Sequence, residues 1–135
     1  MESFGPCELV TRAPRIPLRE KRSCMTFRNA GRSRVRRIRI DGCVLKDEPA
    51  CDYLLINSCD EERYIELKGS DVRRAFEQIE NTIIRVGVNT LERKLYIIST
   101  RCPLASTEIQ QKQKYFRSRY QARLTVKNLL HEDDV

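Results

Sequence analysis

The stretch Cys51–Gly69, "CDYLLINSCDEERYIELKG", decides how the rest of the chain is read. Its opening "DYLLI" is a short continuous apolar run, as expected of a strand covered on both faces. "CDEE" makes a turn, and "RYIELKG" is the next strand. Side chains alternate along a strand, so Tyr64, Glu66 and Lys68 share one face while Ile65 and Leu67 share the other. Glu66 and Lys68 then stand about 7 Å apart, within reach of one ion or water. If the two strands pair, Asp52 approaches Glu66. Two carboxylates converging on a point suit Mg²⁺ or Mn²⁺. A lysine beside them orients or helps to deprotonate an attacking water, which is the equipment for metal-assisted phosphodiester hydrolysis.

Upstream, "RVRRIRIDGCVLK" (34–46) alternates as a first strand with a basic face, and Asp41-Gly42 marks a turn or bulge. Downstream, "SDVRRAFEQIENTIIRVG" (70–87) changes to a helical period. Val72, Ala75, Phe76, Ile79 and Ile83 form its apolar stripe, Ser70 is the N-cap, Asp71 suits the dipole and Gly87 suits the C′ position. "KLYIIST" is a buried strand, which Pro103 breaks. Thr107 and Gln110 have capping-box spacing for a basic helix from Glu108 to Tyr120. "ARLTVKN" follows as an edge-like strand.

The order is strand, strand, strand, helix, strand, helix, strand. It predicts an α/β fold with a mixed sheet of about five strands flanked by helices. Residues 1–23, with Pro6, Pro14 and Pro17, read as an extended basic arm. A weak N-terminal helix is expected from Glu20 to Ala30, with Cys24 and Phe27 on one face. A single domain then covers residues 24–130, and residues 131–135 form a frayed acidic tail.

The net charge is +7, and it is unevenly spread. Residues 1–46 carry twelve Lys/Arg against Glu2, Glu8, Glu20 and Asp41. Such asymmetry points to a polyanionic partner. The six cysteines form no CxxC pair, and all are expected to be reduced, mostly buried small apolar residues rather than zinc ligands. No secretory apolar segment and no long apolar run occur, so a cytoplasmic protein without membrane attachment is expected.

An Asp heading one strand, a short turn, Glu-x-Lys on the next strand and a capped helix directly after it resemble the PD-(D/E)XK, or restriction endonuclease-like, nuclease superfamily. Cys51-Asp52 stands for the Pro-Asp, and Glu66-Leu67-Lys68 for the E-x-K. Gln78 lies on the following helix, as in small Holliday-junction-resolvase-like members. The resemblance covers residues 35–127. It implies that Asp52, Glu66 and the Leu67 carbonyl ligate Mg²⁺ or Mn²⁺. It also implies that Lys68 positions water or stabilises charge on the phosphate, that Gln78 is an accessory contact, and that water attacks phosphorus directly with no covalent intermediate. The family core usually begins with a helix carrying a further acid; Glu20 is the nearest candidate here, and Asp41 reads first as a turn residue.

DNA is the expected substrate, with RNA left open, no nucleotide cofactor and a homodimer as one expected assembly. Phosphates would meet Arg32, Arg34, Arg36, Arg37 and Arg39 of the first strand region, or Lys112, Lys114, Arg117 and Arg119 of the late helix. Aromatic residues form no stacking ladder and nothing reads as a recognition helix, so structure-based selection is expected. The alternative is a nuclease-fold binding or assembly module that no longer cuts.

Overall fold

The computed structural model describes residues 3–68, 71–88, 92–102 and 104–135, with Lys68 described through its backbone alone. A short 3-10 turn (Gly5–Cys7) leads into β1 (Glu8–Thr11), β2 (Arg15–Glu20), β3 (Ser23–Arg28), β4 (Val35–Arg39), β5 (Tyr53–Ile56) and β6 (Glu62–Lys68). There follow α1 (Val72–Val86), β7 (Arg93–Ser99), α2 (Ser106–Tyr120), β8 (Ala122–Asn128) and β9 (Leu130–Asp134). The chain is therefore α/β, and from β4 to β8 its elements follow the order expected from the sequence.

Six strands form one mixed sheet in the order β1-β4-β5-β6-β7-β8. Pairing is antiparallel from β1 to β6 and parallel from β6 to β8. The period-2 pattern of β5 and β6 splits as the sequence implies. Leu54, Ile56 and Tyr64 join the core under the helices, while Leu55, Ile65 and Leu67 join a second core on the opposite face. Each such fully buried aliphatic side chain contributes about 1.5–3 kcal/mol. The stripe of α1 packs on the first face through Val72, Ala75, Phe76, Ile79 and Ile83.

Asp71 caps α1 by accepting the Arg74 amide at 3.2 Å. Ser70, expected as that cap, and Pro103 lie outside the described residues. Gly87 ends the helix in an extended conformation (φ −66°) rather than the left-handed one. It is needed for close approach, because a Cβ there would stand 2.5 Å from the Ile83 carbonyl and 2.9 Å from the Tyr64 hydroxyl. The second helix begins at Ser106, earlier than expected, because the Ala105 carbonyl already accepts the Glu108 and Ile109 amides.

The N-terminal third departs most from expectation. Residues 3–23, expected within an extended arm, instead form strands: β1 adds a sixth strand beside β4, and β2 hairpins onto β3. The weak helix expected at residues 20–30 is replaced by β3. Met25 and Phe27 alternate inward there, as Ile16 and Leu18 do on β2, and this shared burial overrides a marginal helical pattern. Pro17 is tolerated because β2 is an edge strand and needs no outward N–H. The acidic tail is likewise ordered as β9, parallel to β3. Its Glu132 and Asp134 pair with Arg15 (2.5 Å) and Arg28 (3.0 Å), and Asp133 accepts the Tyr96 hydroxyl at 2.6 Å. Part of the N-terminal positive charge is thus neutralised within the chain.

The β2-β3-β9 sheet covers the face of the main sheet that a helix was expected to flank. Two right-handed crossovers stepping the same way along a parallel sheet put both helices on one face. That leaves Leu55, Ile65, Leu67, Tyr96 and Ile98 to be covered by the small sheet. The cysteines also differ from expectation. Cys7 and Cys43 form a disulfide once β1 lies beside β4, an approach hidden by 36 residues of separation. Cys51 is buried as expected, whereas Cys59 is exposed. Among the described residues, no helix is long and apolar enough to cross a membrane.

Candidate active site

The β5–β6 turn sets the register that builds the site. The Asn57 side chain accepts the Cys59 and Glu61 amides at 3.0 and 2.9 Å and donates to the Glu61 carboxylate at 2.7 Å. With this tight turn, Tyr53 pairs Ile65 and Leu54 pairs Tyr64. One residue further on, Asp52 stands across from Glu66.

Each of the two carboxylates is held by the other strand's backbone. Glu66 accepts the Asp52 amide at 3.1 Å, and Asp52 accepts the Leu67 amide at 2.8 Å. A strand residue directs its N–H and C=O to the same edge, so Leu67 also aims its carbonyl toward Asp52. Glu66 is only 2% exposed. From α1, Gln78 reaches the same place: its amide nitrogen donates to the Ala50 carbonyl at 3.2 Å. Its Oε1 is buried with no hydrogen-bond partner among the described residues. Thr82, one turn on, ties helix to strand by accepting the Cys51 amide at 3.0 Å and donating to the Gln78 carbonyl at 2.7 Å.

Asp52, Glu66, Leu67 and Gln78 line a cavity of about 370 Å³ at the C-terminal ends of β6 and β7 and the start of α1. Ligands of open α/β sheets collect at such strand ends. Glu20, Lys21 and Ser23 of the β2–β3 hairpin, Asp41, Asp71 and Thr100 complete the wall. Burial raises the Asp52 pKa above its ordinary value. The Leu67 amide pulls it back down, while the negative charges of Glu20 and Asp41 push it further up. Burial also drives the Cys51 thiol far up, so it stays protonated and is no nucleophile.

No family model, curated protein or solved structure matches this chain.

The structure brings Asp52, Glu66, Leu67 and Gln78 together. Lys68 closes β6 two residues after Glu66, and its side chain lies outside the described residues. Glu20 and Asp41 belong to the cavity more firmly than the sequence suggested. Glu20, the nearest candidate for a further acid, reaches the cavity on a hairpin that the sequence showed only as an arm. Asp41 does sit in a turn, before Gly42 at φ +75°, yet also faces the cavity.

The basic candidates separate into three groups. Arg36 is not available to phosphate, because its guanidinium forms a two-pronged pair with Glu8 at 2.7 Å and lies over the Phe4 ring. Its β4 position faces inward, where alternation alone suggested an outward basic face. Arg32, Arg34 and Arg39 are exposed, and Arg37 rests over the Tyr53 ring. On α2, Lys112 lies over Phe76 and Tyr115, and Arg119 over Tyr115 and Tyr120. Lys114 and Arg117 line a separate cavity with Glu92 and Arg123, at the N-terminal ends of β7 and β8. The length of β7, about 20 Å, divides that cavity from the carboxylates.

Among the described residues, no group of three or more His, Cys, Asp or Glu side chains stands placed to hold a metal ion. The donor set nevertheless fits a small hard cation. Mg²⁺ is commonly held by one or two carboxylates with other oxygens and waters, and the wall offers Asp52, Glu66, the Leu67 carbonyl and the buried Gln78 Oε1.

Proposed function

We propose that this chain is a divalent-metal-dependent endonuclease of the PD-(D/E)XK kind, hydrolysing phosphodiester bonds of DNA. The observation that carries the reading is the Asp52–Glu66 pair, locked by backbone amides in an acidic cavity beside Gln78 Oε1, which has no partner among the described residues. Asp52, Glu66 and the Leu67 carbonyl would hold Mg²⁺ or Mn²⁺. When bound, such a cation neutralises phosphate charge and makes water a better nucleophile at neutral pH.

The chain's own groups supply the rest. The Leu67 amide fixes the Asp52 carboxylate, and the Asp52 amide fixes Glu66, so neither must reorganise during reaction. Gln78 Oε1 would accept a hydrogen bond from the attacking water and orient it. Lys68 is assigned to the charge that develops on the phosphate. By the same resemblance water would attack phosphorus directly, and the buried Cys51 thiol is held protonated. The core around the site runs β4-β5-β6-α1-β7-α2-β8, which is compatible with a restriction endonuclease-like fold.

A second reading is favoured by one observation. Backbone amides already serve both carboxylates, as they would in a module that binds nucleic acid without cutting it. Incubation with Mg²⁺ or Mn²⁺ and labelled duplex, single-stranded and branched DNA separates the two. The nuclease reading expects cleavage that stops with chelator and is lost in Glu66→Gln. Binding without cleavage, equal in wild type and Glu66→Gln, supports the second reading instead.

A further inference from the structure

We infer that the tip of the β2–β3 hairpin grips the substrate strand, with Lys21 contacting a backbone phosphate at the rim of the carboxylate cavity. This rests on the nucleic-acid reading above and names the element that positions the strand. The β2–β3 ladder runs from Arg15–Arg28 to Glu20–Ser23, so Lys21 and Arg22 form the turn. The tip is not a free loop: Glu20, Lys21 and Ser23 all line the cavity that holds Asp52, Glu66 and Gln78.

Charge explains why a cation is needed there. Glu20, Asp41, Asp52, Glu66 and Asp71 surround the cavity, and their combined field repels a phosphodiester. Lys21 is the one cation on that wall among the described side chains. It is exposed and makes no ion pair among the described residues, so its ammonium is available to an incoming anion.

The backbone supports the same assignment. Lys21 has φ +51°, a left-handed conformation that glycine adopts freely and a lysine does not. Six described non-glycine residues share such a φ, and Lys21 is the one that lines this cavity. A turn built for stability alone would carry glycine or asparagine at this point. A lysine stands there instead, and it lines the cavity.

The test uses the full chain with Mg²⁺ and a labelled DNA duplex, and compares wild type with Lys21→Gly, Lys21→Arg and, as a control at the far end of the sheet, Arg123→Ala. Lys21→Gly should melt at or above the wild-type temperature, because the turn is relieved. Its KM should nevertheless rise about tenfold, and the slope of log affinity against log salt should shrink by about one. Lys21→Arg should restore KM, and Arg123→Ala should leave it unchanged. Wild-type KM and salt slope in Lys21→Gly would overturn the clamp and leave the nuclease reading standing. A raised KM with a lowered melting temperature would mark a purely structural turn and also overturn it. A wild-type chain that cleaves nothing would sink both.

Discussion

Asp52 and Glu66 hold one another through the backbone of the opposite strand. Glu66 accepts the Asp52 amide at 3.1 Å, and Asp52 accepts the amide of Leu67, the residue after Glu66, at 2.8 Å. Two acidic side chains are thereby kept together where burial and neighbouring Glu20 and Asp41 make a negative charge costly.

That cost predicts opposite effects of one substitution on stability and activity. The folded pKa of Asp52 lies above the ordinary 3.8. Its ionisation therefore opposes folding: the penalty is absent below 3.8, grows as pH rises through the raised value, and is complete above it. Asp52→Asn keeps an acceptor for the Leu67 amide and removes the charge. It should melt higher than wild type at pH 7, lose that advantage in acid, and cut DNA at least a hundredfold more slowly. Thermal melts across pH 3–8 beside cleavage rates check this, and a lower melting temperature at pH 7 would contradict it.

Gln78 gives a second separation. Its Oε1 is a buried acceptor without a partner among the described residues, worth about 1–3 kcal/mol of destabilisation. Gln78→Leu removes that acceptor but also the donor to the Ala50 carbonyl, so stability should change by less than about 1 kcal/mol. Turnover should fall about tenfold or more if the oxygen orients water. Unchanged turnover in the folded variant would make Gln78 a packing residue.

Glu8 and Arg36 should matter for folding rather than for substrate. Both side chains are 10% exposed, and the Arg36 guanidinium holds the Glu8 carboxyl below its ordinary 4.5. A lowered carboxylate pKa adds stability that is present above pH 4.5 and lost as pH falls through the folded value. Glu8→Gln should cost roughly 2–3 kcal/mol at pH 7 and flatten the acid limb of the stability curve. DNA binding by the folded protein should not change. Loss of binding without loss of stability would return Arg36 to the nucleic-acid surface.

The Cys7–Cys43 bond ties the first turn to the loop that carries Asp41. Closing a loop of 36 residues is worth about 3–4 kcal/mol through the unfolded state. Cys7→Ser should lower the melting temperature by roughly 10 °C. A thiol reductant should do the same to wild type and nothing further to the variant. Equal melting temperatures for oxidised wild type and Cys7→Ser would show that the bond does not stabilise the chain.

The core from β4 to β8 was legible because its patterns are strong and local. Leu54 to Ile56 form an unbroken apolar run, Val72 to Ile83 keep a helical stripe, and the spacing of Asp52 and Glu66 fits one tight turn. The hairpin was not legible, since Pro14 and Pro17 read as breaks and Lys21 takes a left-handed turn without glycine to announce it. Glu20 was therefore named as a candidate acid without the element that brings it to the cavity. The last strand was missed for a different reason: residues 130–134 pair with β3, over a hundred positions away, and the arginines that donate to its acids lie at the other end of the chain. Arg36 misled because alternation shows a face but not its partner, and Glu8 is that partner.

The most direct measurement is a crystal of the full chain soaked in Mn²⁺, read by anomalous scattering. The account expects a peak about 2.1 Å from oxygens of both Asp52 and Glu66, absent from an Asp52→Asn crystal treated identically. A fully soaked wild-type crystal with no peak between these carboxylates, or with the two turned away from one another, would contradict it.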